Sequence, residues 1–66
     1  METFKVEVST SRNRKSSYNA KHTIEGNETQ ARLLYAGINI GNGYRKRLRV
    51  IDAAGKARVL DKQTSN

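Results

Sequence analysis

The sequence has no cysteine, and this absence excludes disulfide bonds and thiolate metal sites. It has one histidine, His22, and its six acidic residues are scattered singly along the chain. Closed metal sites need several ligands at close spacing, and nucleophilic catalysis needs a base beside the nucleophile. The sequence has neither pattern, so it predicts no metal site, no cofactor and no enzymatic activity.

Long apolar runs are also missing. No stretch approaches the ~20 apolar residues that cross a membrane, and the N-terminal METFKVEVST lacks the apolar region of a signal peptide. We therefore expect a cytoplasmic protein with no membrane partner. A chain of 66 residues with 35% hydrophobic residues supports only a thin core. Homodimerisation, or docking on a larger body, would add stability.

Negative charge is scarce, whereas positive charge is abundant. Thirteen Lys and Arg residues against six Asp and Glu give a net charge of +7 and a pI near 10.3. This excess favours anionic partners, such as nucleic acid, an acidic protein surface or anionic lipid. The alternative is that the charge serves solubility, because ~2–8 net charges are ordinary for a small soluble domain.

Two strand patterns occupy the N-terminal part of the chain. The segment TFKVEVST alternates between apolar and polar residues, which is typical of a half-buried strand. The segment SYNAKHTIE predicts a second strand with four residues on one face: Tyr18, Ala20, His22 and Ile24. Between them, residues 11–17 predict an exposed loop with three basic residues: Arg12, Arg14 and Lys15. These cations could contact a phosphate backbone, or only keep the loop soluble.

The period becomes helical after Gly26. Asn27 is a good N-cap, with Gln30 three residues later as in a capping box. One helical stripe is then formed by Ala31, Leu34, Tyr35 and Ile38, and Leu33 widens it. Gly37 is the natural end of the helix, although the pattern allows it to continue to Asn39. The glycines of residues 37–43 follow a helix, so they indicate a turn and no phosphate-binding loop.

The basic stretch YRKRLRVI, residues 44–51, alternates between cationic and apolar positions. It therefore predicts a strand with Leu48 and Val50 against the helix and three arginines on the open face: Arg45, Arg47 and Arg49. A turn in DAAGK leads to a last strand, ARVLDK, which carries Arg58 and Lys62. A loop of two residues would place Val50 opposite Val59, and a loop of three would shift that register by one.

The order of elements is strand, strand, helix, strand, strand. The simplest packing is α+β, a four-stranded antiparallel sheet with one helix packed on one face (ββαββ). Residues 1–66 form a single domain in this prediction, and residues 63–66 are expected to fray.

The arginine-bearing strand is the strongest candidate for a binding site. Arg45, Arg47 and Arg49 project together, joined by Arg58 or Lys62 from the neighbouring strand. Arginine has a planar fork of donors that matches phosphate and carboxylate. Tyr18 and Tyr44 are expected on the inner face, which leaves no aromatic residue for base stacking on the cationic face. The alternative is that these arginines form a solvated outer face.

Residues 22–62, HTIEGNETQARLLYAGINIGNGYRKRLRVIDAAGKARVLDK, resemble small phage-encoded anti-CRISPR proteins with a strand–strand–helix–strand–strand layout. The shared features are an IE strand end, QAR in the first turns of the helix, a glycine-containing connector and a terminal hairpin that turns at one glycine. The resemblance implies a phage or mobile-element protein that inhibits a CRISPR–Cas effector complex in the host cytoplasm. Many such inhibitors are acidic DNA mimics, whereas this basic chain suits an acidic Cas surface or exposed guide RNA.

A second resemblance is to integrase arm-binding domains, in which the basic face of a three-stranded sheet enters a DNA groove. Here a hairpin follows the helix, which that fold does not require. The sequence therefore predicts a protein that docks on a nucleoprotein through its arginine-bearing sheet face. One alternative is a regulator that binds DNA or RNA directly through the same face. Another is a structural subunit whose charge serves solubility or packing.

Overall fold

The chain folds into one antiparallel sheet with a single helix, as seen in a computed structural model that describes residues 1–65. The elements are β1 (Thr3–Ser9), β2 (Tyr18–Glu25), α1 (Glu28–Ala36), β3 (Arg45–Ile51) and β4 (Ala57–Thr64). The strand order is β2-β1-β3-β4, and α1 packs against β1, β2 and β3 on one side. The predicted α+β ββαββ architecture is confirmed.

The core lies between α1 and the two central strands. The apolar positions of β1 face those of β3, with Phe4 opposite Val50 and Val6 opposite Leu48. All four of these residues are buried, and Ala31 and Tyr35 of α1 complete the core. The alternation of TFKVEVST and YRKRLRVI therefore brings the two apolar faces together because both strands are central and covered by the same helix.

The helix begins and ends as the sequence predicts. The side chain of Asn27 accepts a hydrogen bond from the Gln30 backbone N–H at 3.0 Å, and Gly37 is the C-cap. Leu34 and Ile38 pack against the core as partly buried residues. The predicted widening of the apolar stripe by Leu33 is wrong, because Leu33 is 69% exposed.

Each edge strand contains one bulge, and each bulge reverses which residues face the helix. In β2, Val6 lies opposite His22 but Glu7 lies opposite Ala20, so Lys21 is the extra residue. In β4, Leu48 lies opposite Asp61 and Arg49 opposite Val59, so Leu60 is the extra residue. An extra residue interrupts the two-residue period, so side chains beyond it change faces.

The β3–β4 hairpin has the longer of the two loops that the sequence allows. Ile51 pairs with Ala57, and the Asp52 N–H donates to the Lys56 carbonyl at 2.9 Å, which leaves residues 53–55 as the loop. Gly55 has φ +85°, a left-handed conformation that favours glycine.

Residues 63–65 are hydrogen-bonded, although the sequence predicts that they fray. Gln63 and Thr64 are the last residues of β4. The Ser65 N–H donates to the Tyr44 carbonyl at 3.0 Å, and the Gly43 N–H donates to the Ser65 carbonyl at 2.7 Å. The remaining residue of the predicted frayed segment, Asn66, lies outside the described residues.

Candidate anion-binding site

The sheet face that α1 leaves uncovered, here called the open face, contains the three predicted arginines. Arg45, Arg47 and Arg49 alternate along β3 and are half-buried. The cross-strand register places Glu7 of β1 opposite Arg47. The arginines are therefore on the expected face, but an acidic residue from the neighbouring strand lies beside them.

Glu7 ties two of these arginines to the sheet. Arg47 Nε donates to Glu7 Oε1 at 2.7 Å, and Arg49 donates through Nε at 2.8 Å and through Nη2 at 3.0 Å. Burial would raise the pKa of Glu7, but the hydrogen bonds and positive charges of Arg49 and Arg47 outweigh it and lower this pKa. The Glu7 carboxylate is thus ionised, and it offsets part of the arginine charge that was predicted from the sequence to contact a partner.

Tyr18 also lies on the open face, where it stacks against arginine. The Arg47 guanidinium carbon is 3.8 Å from the centre of the Tyr18 ring, and that of Arg45 is 5.4 Å away. The prediction that Tyr18 shares the inner face is wrong. The bulge at Lys21 shifts the register so that Tyr18 pairs with Ser9, an outward residue of β1.

Arg45 holds the loop between β1 and β2. Its Nη1 donates to the Arg14 carbonyl at 2.9 Å, and its Nη2 donates to the Asn13 carbonyl and to Ser16 Oγ, both at 2.7 Å. The Arg45 N–H also donates to Ser9 Oγ at 3.0 Å. Arg45 therefore has a structural role, which sequence periodicity alone did not indicate.

The loop adds its own hydrogen bonds and presents its charged side chains outward. The Thr10 N–H donates to the Ser17 carbonyl, and the Lys15 N–H donates to Asn13 Oδ1, both at 2.9 Å. Ser16 Oγ donates to the Asn13 carbonyl at 2.7 Å. The three basic side chains of the loop are exposed: Arg12, Arg14 and Lys15.

A cleft with a volume of about 530 Å³ lies beside this loop and is here called the cationic cleft. Its lining residues come from the loop, from the start of β3 and from the end of β4: Arg12, Arg14, Gly43, Arg45, Lys62 and Thr64. Four of these six residues are cationic, and none is acidic. The cleft is therefore the place where four of the eight predicted basic residues converge, whereas Lys15, Arg47, Arg49 and Arg58 do not line it.

Gly43 shapes the cleft by letting Arg12 lie close to the backbone. A Cβ atom at Gly43 would come within 2.9 Å of Arg12 Cδ and 3.0 Å of Arg12 Cγ. The φ angle of Gly43 is +86°, which also disfavours other residues. The glycine-rich connector thus contributes to the cleft through contact with a cationic side chain.

The two basic residues of β4 lie on opposite faces. Lys62 pairs with Arg47 on the open face and lines the cationic cleft. Arg58 pairs with Val50, whose side chain is in the core, so Arg58 projects on the helix side near the hairpin. The prediction that either residue would join the arginine row is thus met by Lys62 alone. The bulge at Leu60 separates them because it breaks the alternation.

Lys46 is the buried cation of β3, and only its face was predicted from the sequence. Its Nζ donates to the carbonyls of Tyr35 at 2.8 Å and Ile38 at 3.1 Å, and it lies 4.5 Å from the centre of the Tyr35 ring. A cation near a helix C-terminus stabilises the last carbonyl groups. Burial, with the negative charge of Asp61, raises the pKa of Tyr35 to about 12.

Other kinds of site find no support within residues 1–65. No group of three or more His, Cys, Asp or Glu side chains in this range could bind a metal ion. The single helix described there lacks the length and apolar character needed to cross a membrane. No protein-family model matches the chain, and neither a curated protein nor a solved structure is similar enough to count as a match.

Proposed function

We propose that this protein is a non-enzymatic binding protein that engages phosphate groups of a nucleic acid or nucleoprotein through its cationic cleft and the loop beside it. The observation that carries the proposal is the convergence of Arg12, Arg14, Arg45 and Lys62 on one concave surface that has no acidic lining residue among residues 1–65. Clustered arginine and lysine side chains are the electrostatic footprint of phosphate recognition.

The structure changes which arginines support this function. The Arg47 and Arg49 side chains are each 26% exposed and share Glu7, so one of their two charges is offset within the sheet. The Arg12 and Arg14 side chains are exposed, and within residues 1–65 neither has an acidic partner. A phosphate can thus bind at the cleft without displacing a carboxylate, which favours this end of the sheet over the middle of β3.

Fluorescence anisotropy of labelled DNA and RNA, single- and double-stranded, across a salt series tests the proposal. For duplexes, the logarithm of the binding constant should fall with the logarithm of salt concentration at a slope of about −3, because each neutralised duplex phosphate contributes about −0.9. The variant with Arg12→Glu and Arg14→Glu should lose this binding. A matched control with Lys56→Glu and Arg58→Glu changes the net charge equally at the far hairpin and should retain most of it. Equal losses in both variants would show a general charge effect and contradict the proposal.

The nucleoprotein we propose first is a CRISPR–Cas effector complex, because residues 22–62 resemble anti-CRISPR proteins in the features given above. In this form the cleft would dock on exposed guide RNA or compete for the channel that accepts target DNA. The test is cleavage of target DNA by purified effector complexes with and without the protein. Inhibition that the Arg12→Glu and Arg14→Glu variant loses would support this role, and unchanged cleavage with every effector type would contradict it.

A further inference from the structure

We infer that the cationic cleft binds a phosphomonoester dianion, either the terminal phosphate of a nucleic acid strand or the phosphate of a free nucleotide. This inference rests on the proposed function and specifies the ligand of the same site. The first observation behind it is the concave shape of the positively charged surface. The cationic side chains belong to three separate segments, and they surround a cleft of about 530 Å³.

A concave site of this size suits a terminal group better than the middle of a strand. Small-ligand sites commonly enclose about 300–1,000 Å³. A continuous phosphate backbone would be matched by a row of cations along its path. The arginines of β3 would form such a row if Glu7 did not lie beside them. Along β3, however, both arginines beyond Arg45 share Glu7, which offsets one of their two charges and occupies their donors. The lining residues of the cleft have no such acidic neighbour among them.

The balance of charge in the cleft favours a dianion over a phosphodiester. A phosphomonoester carries about −1.5 to −2 charges at pH 7 and has three acceptor oxygens, whereas a diester carries one charge. Within the described part of the chain, the cleft is lined by four cationic residues and no acidic one. Arg45 already donates through both of its Nη atoms to the loop, so it contributes charge and position. Arg12, Arg14 and Lys62 can donate to the ligand.

Two contacts prepare the cleft before a ligand arrives. The stem of Arg12 lies against Gly43, and Arg45 fixes the loop that carries Arg14. A side-chain stem and a loop backbone that are already held lose less conformational entropy on binding. Thr64 adds a hydroxyl group at the rim, since it also lines the cleft. This preparation is what distinguishes the cleft from the exposed lysines elsewhere on the surface.

The test compares one labelled oligonucleotide sequence with a 5′-phosphate, with a 3′-phosphate and with hydroxyl groups at both ends. We expect one phosphorylated form to bind about tenfold more tightly than the hydroxyl form, as charge-assisted hydrogen bonds to a terminal phosphate would provide. Arg14→Ala and Lys62→Ala should remove this preference. Arg58→Ala removes the same charge as Arg14→Ala outside the cleft and should keep it.

Competition by a nucleoside monophosphate then separates the two sources of the phosphate. Displacement of the phosphorylated oligonucleotide at a similar concentration would identify a free nucleotide, and much weaker displacement would identify a strand end. Equal affinity for phosphorylated and hydroxyl ends, with oligonucleotide binding intact, would overturn this inference and leave the proposed function standing. The absence of any oligonucleotide binding would overturn the proposed function, and the absence of nucleoside monophosphate binding as well would overturn both.

Discussion

Glu7 on β1 and Arg49 on β3 form a two-bond ion pair across the open face, with Arg49 Nε and Nη2 lying 2.8 and 3.0 Å from the two carboxylate oxygens. The side chain of Glu7 is only 7% exposed, so this carboxylate depends on its arginine partners for stability. Arg47 donates to the same carboxylate. Two of the three arginines of β3 therefore have a structural role.

Glu7→Gln should therefore destabilise the fold. The amide keeps the shape of the side chain but leaves two half-buried guanidinium groups without a negative partner. We expect the free energy of unfolding to fall by about 1.5–3 kcal/mol, the range for hydrogen bonds to charged groups. Urea denaturation measures this change. Glu25→Gln, at an exposed position of β2, is the control and should leave the midpoint unchanged. A Glu7→Gln protein as stable as the wild type would show that the pair contributes nothing.

The same pair predicts how stability depends on pH. The folded pKa of Glu7 lies below its ordinary value of 4.5, so folding favours the ionised form. This contribution is fully present above the unfolded pKa and is lost as pH falls through the lower folded pKa. The stability gap between wild type and Glu7→Gln should therefore be constant near about pH 6 and close towards about pH 2. A gap that does not change over this range would contradict the assignment.

Gly43 and Gly55 offer a matched test of how the cleft is shaped. Both have left-handed φ angles, +86° and +85°, so alanine should cost each about 1–2 kcal/mol of stability. Only at Gly43 would the new Cβ collide with Arg12, because nothing lies within 4 Å of a Cβ at Gly55. Gly43→Ala should thus weaken oligonucleotide binding in anisotropy, whereas Gly55→Ala should not. Equal affinities for the two folded variants would remove Gly43 from the site.

Two leucines test the placement of the core. Leu48 is fully buried in β3, so Leu48→Ala should cost about 2–5 kcal/mol and unfold much of a domain this small. Leu33 on α1 is 69% exposed, and Leu33→Ala should change stability by less than about 0.5 kcal/mol. Thermal denaturation followed by circular dichroism compares them. Similar melting temperatures for both variants would mean that the helix packs through a different face.

Local patterns in the sequence predicted most of the fold. The alternation of TFKVEVST and YRKRLRVI gave the two central strands, and the Asn27 cap with the helical stripe gave α1. These signals are reliable here because each depends on neighbours within a few residues. The α+β class follows once such elements are placed in order.

The faces of the edge strands could not be predicted in the same way. The bulges at Lys21 and Leu60 occur at residues that carry no bulge signal such as glycine, and each reverses the alternation beyond it. As a result Tyr18 lies on the open face, and Lys62 lies there too although Arg58, four residues earlier in β4, lies on the other face. A strand pattern read residue by residue assumes an unbroken period, so it misplaced Tyr18 and could not separate Lys62 from Arg58.

The site was only partly predictable because its balance of positive and negative charge depends on contacts between residues that are distant in sequence. Glu7 is an outward residue of β1, and it meets Arg47 and Arg49 only because β1 pairs with β3. The lone acid on the polar face of the first strand was a signal that could have been used. The cleft likewise depends on the packing of Arg12 on Gly43, which no periodicity indicates.

An NMR titration of ¹⁵N-labelled protein with a short oligonucleotide locates the phosphate-binding surface residue by residue. We expect amide signals to shift at the cleft end of the sheet, in residues 10–17, 43–45 and 62–65. We also expect little change in residues 52–58, which lie about 20 Å away along β3 at ~3.3 Å per residue. Shifts centred on residues 47–51 or on the far hairpin would contradict the claim that phosphate binds at the cationic cleft.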